Sequence, residues 1–130
     1  MTDPIAVAER LYAMLDDEDL SPFLAACAPD VTVEYPADGR LPYGGAWHGR
    51  DGVGRFLDAH DGAEEIVEFA PAEMVRDGGR VVVLGRFAGR AKPTGTPWST
   101  RFVHLLTFDD GLLQRWEAYF DTAAAVEAHA

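Results

Sequence analysis

The hydrophobic period of this chain changes near its middle, and this change constrains the fold more than any other feature. Apolar side chains recur at helical spacing in residues 4–16 and again around residues 53–57. From about Glu64 to Phe120, short apolar runs rich in Val and Phe are separated by turn sequences, which is typical of strands. Helices followed by consecutive strands predict an α+β domain with the helices on one face of a curved antiparallel sheet.

Three helices are predicted in the first half of the chain. Asp3-Pro4 combines a capping residue with a proline tolerated at the first helical position, so it opens the helix over 4–16. Ser21-Pro22 repeats this signal and opens a short helix that includes Cys27 as a small core residue. Asp51 is predicted to cap the third helix. The acidic run over residues 16–19 between the first two helices is interpreted as a solvated connector.

The remaining segments are predicted to be strands and turns. Val31–Tyr35 alternates with period two and ends at Pro36, and residues 36–46 are predicted to form a loop. Pro71 indicates a bulge or a sheet edge. Turns are expected at 77–79, 92–96 and 109–111, and an alanine-rich helical tail begins at Thr122.

Composition excludes several classes of function. The chain has 22 acidic and 11 basic residues, a formal charge of -11, and this balance repels phosphate backbones, so no nucleic-acid partner is expected. There is no apolar run long enough to span a membrane and no secretory signal pattern, so a cytoplasmic location is predicted. A lone cysteine and the absence of a phosphate-binding glycine motif predict no metal and no nucleotide cofactor. We expect one domain over residues 1–130.

Alternation on the last two strands predicts which side chains face the helices. The predicted inner face is apolar except for a histidine and a glutamine. A hollow between this face and the helices is a natural site for an apolar ligand, and a histidine facing it is the strongest functional candidate. The residues of this face are Phe102, His104, Leu106 and Phe108 with Gln114, Trp116, Ala118 and Phe120.

The order of these elements resembles the NTF2-like superfamily, and within it the SnoaL-like branch of polyketide cyclases and ketosteroid isomerase relatives. The resemblance covers nearly the whole chain and is carried by the segments 31–36 (VTVEYP), 47–50 (WHGR) and 108–111 (FDDG). It implies a cone-shaped fold, a strongly bent antiparallel sheet wrapped around three helices with a pocket at one end. It also implies a homodimer paired through the sheet.

The resemblance to ketosteroid isomerases assigns roles to three residues. Tyr12 matches the tyrosine that donates a hydrogen bond to the substrate oxygen, and His104 stands where those enzymes have a protonated aspartate. Tyr35 stands where they have the aspartate base. Polyketide cyclases resemble the chain at His104, but their acid/base aspartate falls at Ala118. Authentic steroid isomerase activity is therefore not expected.

The other candidates have structural alternatives. Trp47 is predicted to be a wall or lid residue of the pocket, while Asp121 either caps the tail helix, which we favour, or acts as an acid at the pocket mouth. Arg101 and Glu117 are expected to pair across strands on the outer face. His48 is interpreted as a surface or entrance residue, and His60 and His129 are expected to be exposed.

Three hypotheses for function follow. The first is an enzyme that moves a proton on a hydrophobic carbonyl compound as an isomerase, cyclase or dehydratase, with His104, Tyr12, Tyr35 and Asp121 as candidate catalytic groups. The second is a non-catalytic binding domain for a hydrophobic metabolite. The third is an interaction domain without a functional pocket. Trp47, Phe102, Leu106, Trp116, Ala118 and Phe120 are the predicted ligand-contacting residues.

Overall fold

The computed structural model describes residues 3–130, and its centre is one curled, unclosed sheet of six strands with four helices. This architecture confirms the predicted α+β cone. The strand order across the sheet is β2-β1-β6-β5-β4-β3. The strands are β1 Cys27–Tyr35, β2 Gly45–His48, β3 Glu64–Asp77, β4 Arg80–Ala91, β5 Pro97–Asp109 and β6 Leu112–Phe120.

The helices are α1 Pro4–Leu15, α2 Ser21–Ala25, α3 Gly49–Ala63 and α4 Thr122–His129. The predicted cap of α1 is confirmed, because the Asp3 side chain accepts from the Ile5 amide at 3.1 Å. Two other helix starts differ from the prediction. Ser21 is the first residue of α2 rather than its cap, and α3 begins before Asp51, which lies in its first turn.

Contrary to the prediction, the sheet is not wholly antiparallel. Strands β3 to β6 form the expected antiparallel meander, but β1 pairs with β6 in parallel. Two boundaries also move. The predicted loop over 36–46 ends earlier, because Gly45 begins β2, and Cys27 opens β1 instead of closing α2. Cys27 is fully buried, as expected of a core residue, and burial raises the pKa of its thiol to about 11.

The bend of the sheet has a local cause at the edge strand β3. Its register shifts between Pro71 and Glu73, so Pro71 lies at both a bulge and an edge, as predicted. Gly85 pairs with Pro71, and a Cβ at Gly85 would collide with the Phe102 ring and with the carbonyl oxygen of Ala70. The glycine therefore lets the bent sheet close over an aromatic side chain on its concave face.

The core lies between α1, α2, α3 and the concave face of the sheet. Val81, Val83, Leu106 and Leu113 are at most 3% exposed on the sheet side. Leu113 takes the inward place predicted for Gln114, because a register shift after Thr107 pairs Phe108 with Leu113. Within residues 3–130, no helix is long and apolar enough to cross a membrane.

Candidate functional site

A cavity of about 670 Å³ lies between the concave face of the sheet and the helices. Its walls are mainly aromatic, and its polar wall residues include two histidines, two tyrosines and several carboxylates. Such a cavity has the size and lining of a small-molecule site. The lining residues are Leu15, Asp16, Asp17, Glu18, Leu20, Tyr35, Tyr43, Phe56, Leu57, Asp58, His60, Asp61, Ile66, Phe69, Phe87, Trp98, Thr100, Phe102, His104, Trp116 and Phe120.

His104 on β5 is the buried polar group that the alternation predicted, and it is 3% exposed. Its Nδ1 is 2.8 Å from the Tyr12 hydroxyl, so α1 and the sheet meet in one hydrogen-bonded pair. His104 Nε2 has no hydrogen-bond partner within residues 3–130. Phe102 and Trp116 pack on the imidazole, with ring centroids at 4.3 and 5.3 Å.

Both members of this pair are neutral at physiological pH. Burial, reinforced by His60, lowers the pKa of His104 to about 3. Burial and the neighbouring Tyr35 raise the pKa of Tyr12 above its usual value. The aromatic surround excludes water and so disfavours the charged imidazolium form of His104. The pair offers hydrogen bonds rather than charge.

Tyr35 lies between the two histidines of the cavity. Its ring centroid is 6.4 Å from that of His104 and 6.3 Å from that of His60. Its hydroxyl has no hydrogen-bond partner within the described chain, and burial raises its pKa. Tyr35 thus presents a neutral hydroxyl at the first-strand position that the sequence predicted.

His60 on α3 was expected to be exposed, and this is wrong. It is half-buried in the cavity wall, with its ring centroid 4.5 Å from that of Tyr43. Its ring nitrogens make no hydrogen bond to residues 3–130, and burial lowers its pKa to about 4. The helical period does contain the signal, because His60 follows Val53 and Phe56 at helical spacing on the buried face.

The indole of Trp116 adds a further polar atom to this region. Its Nε1 is buried and has no hydrogen-bond partner within the described residues. A buried donor left unpaired is costly, on the order of 1–3 kcal/mol, and such groups in native proteins usually have a reason. Trp116 lines the cavity that His104, Tyr35 and His60 share.

A second polar cluster lies behind the aromatic wall and was not foreseen from sequence. The Glu64 carboxylate is fully buried and accepts from the Tyr43 hydroxyl at 3.0 Å and from Trp98 Nε1 at 3.0 and 3.2 Å. His129 Nε2 lies 2.9 Å from Glu64 Oε1. His129 is therefore buried by α4 against Glu64, and the prediction that it is exposed is wrong. Glu64 is the first residue of β3, and in the sequence it is followed by a second glutamate, a pattern that is typical of an exposed segment.

The model of the SnoaL-like domain matches residues 8–116, which is most of the chain and includes Tyr12, Tyr35, His60 and His104. The chain belongs to the SnoaL-like family. No curated protein matches the sequence.

Solved structures place this SnoaL-like protein among NTF2-like folds. An NTF2-like protein from Burkholderia xenovorans LB400 is 25% identical, with a TM-score of 0.90 and coverage of 98% of this chain and 95% of that one. An NTF2-like protein of unknown function from Burkholderia pseudomallei K96243 is 34% identical, with a TM-score of 0.87 and coverage of 100% and 99%. TerC, crystallised with polyporic acid, is 32% identical, with a TM-score of 0.84 and coverage of 97% of both chains.

Within this SnoaL-like protein, several predicted site residues lie outside the cavity wall. Tyr12 does not line the cavity but contacts two wall residues, His104 through its hydroxyl and Phe69 through its ring. Leu106 and Ala118 are buried on the inner face of the sheet without lining the cavity. Trp47 does not line it either. This side chain packs on Phe56 at 6.0 Å and donates to the Tyr43 carbonyl at 3.2 Å, so it supports the wall from behind. Phe102, Trp116 and Phe120 line the cavity as predicted.

Two further predictions concern residues on β6 and directly after it. Asp121 is exposed and caps α4, because its side chain accepts from the Ala124 amide at 3.0 Å, and it does not line the cavity. Its predicted alternative as an acid at the pocket mouth is thus not supported by its position. The expected Arg101–Glu117 pair is wrong. Glu117 instead pairs with Arg115 at 2.8 Å on its own strand.

The described residues contain no group of three His, Cys, Asp or Glu side chains arranged to hold a metal ion. A second, more open hollow of about 510 Å³ lies between the 36–44 loop and α4. Its polar side chains, Arg40, Thr122 and Glu127, are not buried, so the aromatic cavity is the stronger candidate site.

Proposed function

We propose that this SnoaL-like protein binds an aromatic carbonyl compound in the cavity and transfers a proton on it, as an isomerase, cyclase or dehydratase that needs no cofactor. The observation that carries the proposal is the part-buried hydrogen bond of 2.8 Å between the Tyr12 hydroxyl and His104 Nδ1. The second nitrogen of this imidazole, His104 Nε2, has no partner within residues 3–130 and belongs to the aromatic wall of the cavity.

The tautomer of His104 follows from the strengths of the two groups. A phenol is a good donor and a neutral imidazole nitrogen is a good acceptor, so the Tyr12 hydroxyl donates to Nδ1 and the ring proton resides on Nε2. His104 then donates from Nε2 to a ligand oxygen. A neutral histidine can polarise a carbonyl in this way, and a preorganised donor in a dry site stabilises a developing enolate.

Tyr35 and His60 supply the proton-transfer groups. The Tyr35 ring lies within 6.4 Å of both histidine rings, and its hydroxyl makes no hydrogen bond to residues 3–130, so it can donate to a ligand. His60 is neutral and unpaired within residues 3–130, so it can accept a proton from ligand carbon. A base with a pKa of about 4 is effective only toward carbon acids that are already activated, such as 1,3-dicarbonyl compounds.

Similarity supports the aromatic character of the ligand. TerC, which resembles this chain over 97% of both lengths, has been crystallised with polyporic acid. The aromatic lining formed by Tyr35, Phe56, Phe102, Trp116 and other rings can stack on a flat aromatic ligand.

A non-catalytic binding domain is the second candidate, and the arrangement of carboxylates favours it. Neither family position for an acid/base carboxylate holds one, because Tyr35 and Ala118 stand there. The buried carboxylate of the described residues, that of Glu64, is already bonded to three side chains. Binding and proton transfer therefore need separate experiments.

The first experiment compares benzophenone with diphenylmethane, which has the same two rings but no carbonyl. Wild-type protein is expected to bind benzophenone about 2- to 10-fold more tightly, since one hydrogen bond contributes about 0.5–1.5 kcal/mol. Quenching of the cavity tryptophans Trp98 and Trp116 measures both affinities. In His104→Phe an aromatic ring is kept and the donor is lost, so the preference should disappear.

His48→Phe is the matched control, because His48 is an exposed histidine outside the cavity. This variant should keep the wild-type preference. A His104→Phe protein that folds normally and still prefers benzophenone would show that Nε2 is not the ligand donor. The same result would overturn the proposed site.

We also propose that the protein is a homodimer paired through the convex face of the sheet. Leu84, Val103 and Tyr119 lie in register across three strands there, and Leu84 and Tyr119 are 37% and 52% exposed. Val75 adds a further apolar side chain that is 48% exposed. Contiguous exposed apolar surface of this kind is typical of an interface.

Light scattering of wild-type protein at micromolar concentration is expected to give the mass of a dimer, twice 14.2 kDa. Leu84→Glu should give a monomer, because an unpaired carboxylate would be buried at the interface. Ala13→Glu adds the same charge at an exposed residue of α1, outside the convex face of the sheet, and should leave the dimer intact. A wild-type monomer would refute the proposed pairing.

A further inference from the structure

The mouth of the cavity is acidic, and the two segments that form it are far apart in sequence. Asp16, Asp17 and Glu18 come from the connector between α1 and α2, and Asp58 and Asp61 come from the second half of α3. All five side chains belong to exposed residues and line the same cavity as His104. The connector is therefore more than the solvated link predicted from sequence.

These carboxylates are not neutralised by the described part of the protein. None of the five forms an ion pair within residues 3–130, and no Lys or Arg of that range lines the cavity. Lys92 does touch Asp61, but its ammonium donates to the main-chain carbonyl at 2.6 Å rather than to the carboxylate. The histidines of the wall are neutral, because burial lowers the pKa of His60 to about 4 and that of His104 to about 3.

The deep wall of the same cavity provides an independent sign of a ligand. His104 is 97% buried, and its Nε2 has no partner within the described chain. A ligand oxygen bound there would leave the other end of an elongated molecule among the carboxylates. Carboxylates attract positive charge, and the aromatic rings between the two ends also favour a cation through their negative faces.

We infer that the ligand of this cavity is an aromatic carbonyl compound that carries a cationic group, such as a protonated amine, at the end remote from its carbonyl. This inference rests on the proposed function and adds the charge of the ligand to it. The His104 end recognises the oxygen, and the acidic mouth selects a cation and rejects an anion.

Two derivatives of benzophenone test this charge preference. 4-(Aminomethyl)benzophenone carries an ammonium group, and 4-benzoylbenzoate carries a carboxylate on the same skeleton. At low salt, wild-type protein is expected to bind the ammonium compound about tenfold or more tightly than the carboxylate, from several weak contributions of exposed charges. The ratio should shrink as salt is added, because exposed charges are screened.

Charge-neutralising variants locate the effect. Asp16→Asn/Asp17→Asn/Glu18→Gln should reduce the ammonium-to-carboxylate ratio to within about threefold of unity, through loss of these contributions. The control Asp77→Asn/Asp109→Asn/Asp110→Asn removes three charges at the hairpin turns, outside the cavity wall, and should keep the wild-type ratio. Asp110 has a positive φ of 52°, which asparagine also adopts readily.

The outcomes separate this inference from the proposed function. If benzophenone is preferred to diphenylmethane but the two charged compounds bind equally, the inference is wrong and the proposed site stands. An equal loss of charge preference in the control triple variant would also overturn it, since the cause would then be net charge. If none of the four compounds binds, the proposed function and the inference fail together. Weaker binding of the ammonium compound by His104→Phe would support its placement in this cavity.

Discussion

Replacing Glu64 by alanine is expected to destabilise the protein by about 3–5 kcal/mol, which is a large part of the stability of an ordinary domain. The substitution leaves three buried donors, on Tyr43, Trp98 and His129, without their shared acceptor. It also removes the contact that holds the end of α4 against the start of β3. Chemical denaturation monitored by circular dichroism measures the change in the free energy of unfolding.

Glu65→Ala is the matched control for this prediction. Glu65 is adjacent on β3 and exposed, so its loss should change stability by less than about 0.5 kcal/mol. His129→Ala removes one partner of Glu64 and should cost less than Glu64→Ala, because Tyr43 and Trp98 still satisfy the carboxylate. Equal stability of Glu64→Ala and Glu65→Ala would contradict a structural role for the buried acid.

Tyr12→Phe is expected to slow proton transfer by at most about 10²–10³-fold if the protein is an enzyme, because that is the loss on removing an oxyanion-stabilising donor itself and Tyr12 acts by positioning the donor, His104. The variant keeps the ring but removes the hydroxyl that fixes the His104 tautomer. The keto–enol interconversion of 1-phenylbutane-1,3-dione, followed by its ultraviolet absorbance, measures the rate. This compound is an aromatic 1,3-dicarbonyl, so its carbon acid is already activated.

The pH dependence of this rate has a defined direction. His104 and His60 have pKa values lowered to about 3 and about 4, so both are neutral from about pH 5.5 to pH 8 and the enzyme-catalysed rate constant should be flat there. Below about pH 4 protonation of His60 should stop the catalysed reaction.

The lowered pKa values of His104 and His60 also make the free energy of unfolding pH-dependent. The stability that these neutral histidines contribute is fully present above the unfolded pKa of about 6.5 and is lost as pH falls toward their folded values.

Two results would contradict the catalytic role. A wild-type rate equal to that of buffer, with binding of benzophenone intact, would identify the protein as a binding domain. A rate that rises with an apparent pKa near 6.5 would show that a histidine outside this buried environment is the base. His48→Phe serves again as the control that keeps the wild-type rate, because His48 is exposed and outside the cavity.

Local patterns in the sequence were enough to predict the fold class and much of the cavity. The change from helical to strand period near Glu64 gave the layer order, and strict alternation on β5 placed Phe102 and His104 on the concave face. The resemblance to the family added Tyr12, and the structure brings its hydroxyl to His104. The change of period and the alternation depend on residues that are close together along one helix or strand, so they are visible in the sequence itself.

Contacts between distant elements could be decided only by the tertiary structure. His129 and Glu64 are 65 residues apart, and each looks like an ordinary surface residue in its own segment until α4 packs beside β3. The acidic mouth likewise joins two separate segments, and the low pKa of His104 reflects the whole aromatic surround. Burial and electrostatic environment are properties of the assembled chain. The sequence therefore determined the order of the elements and the inward face of β5, while the packing determined the burial of His60, Glu64 and His129 and the electrostatic environment of His104.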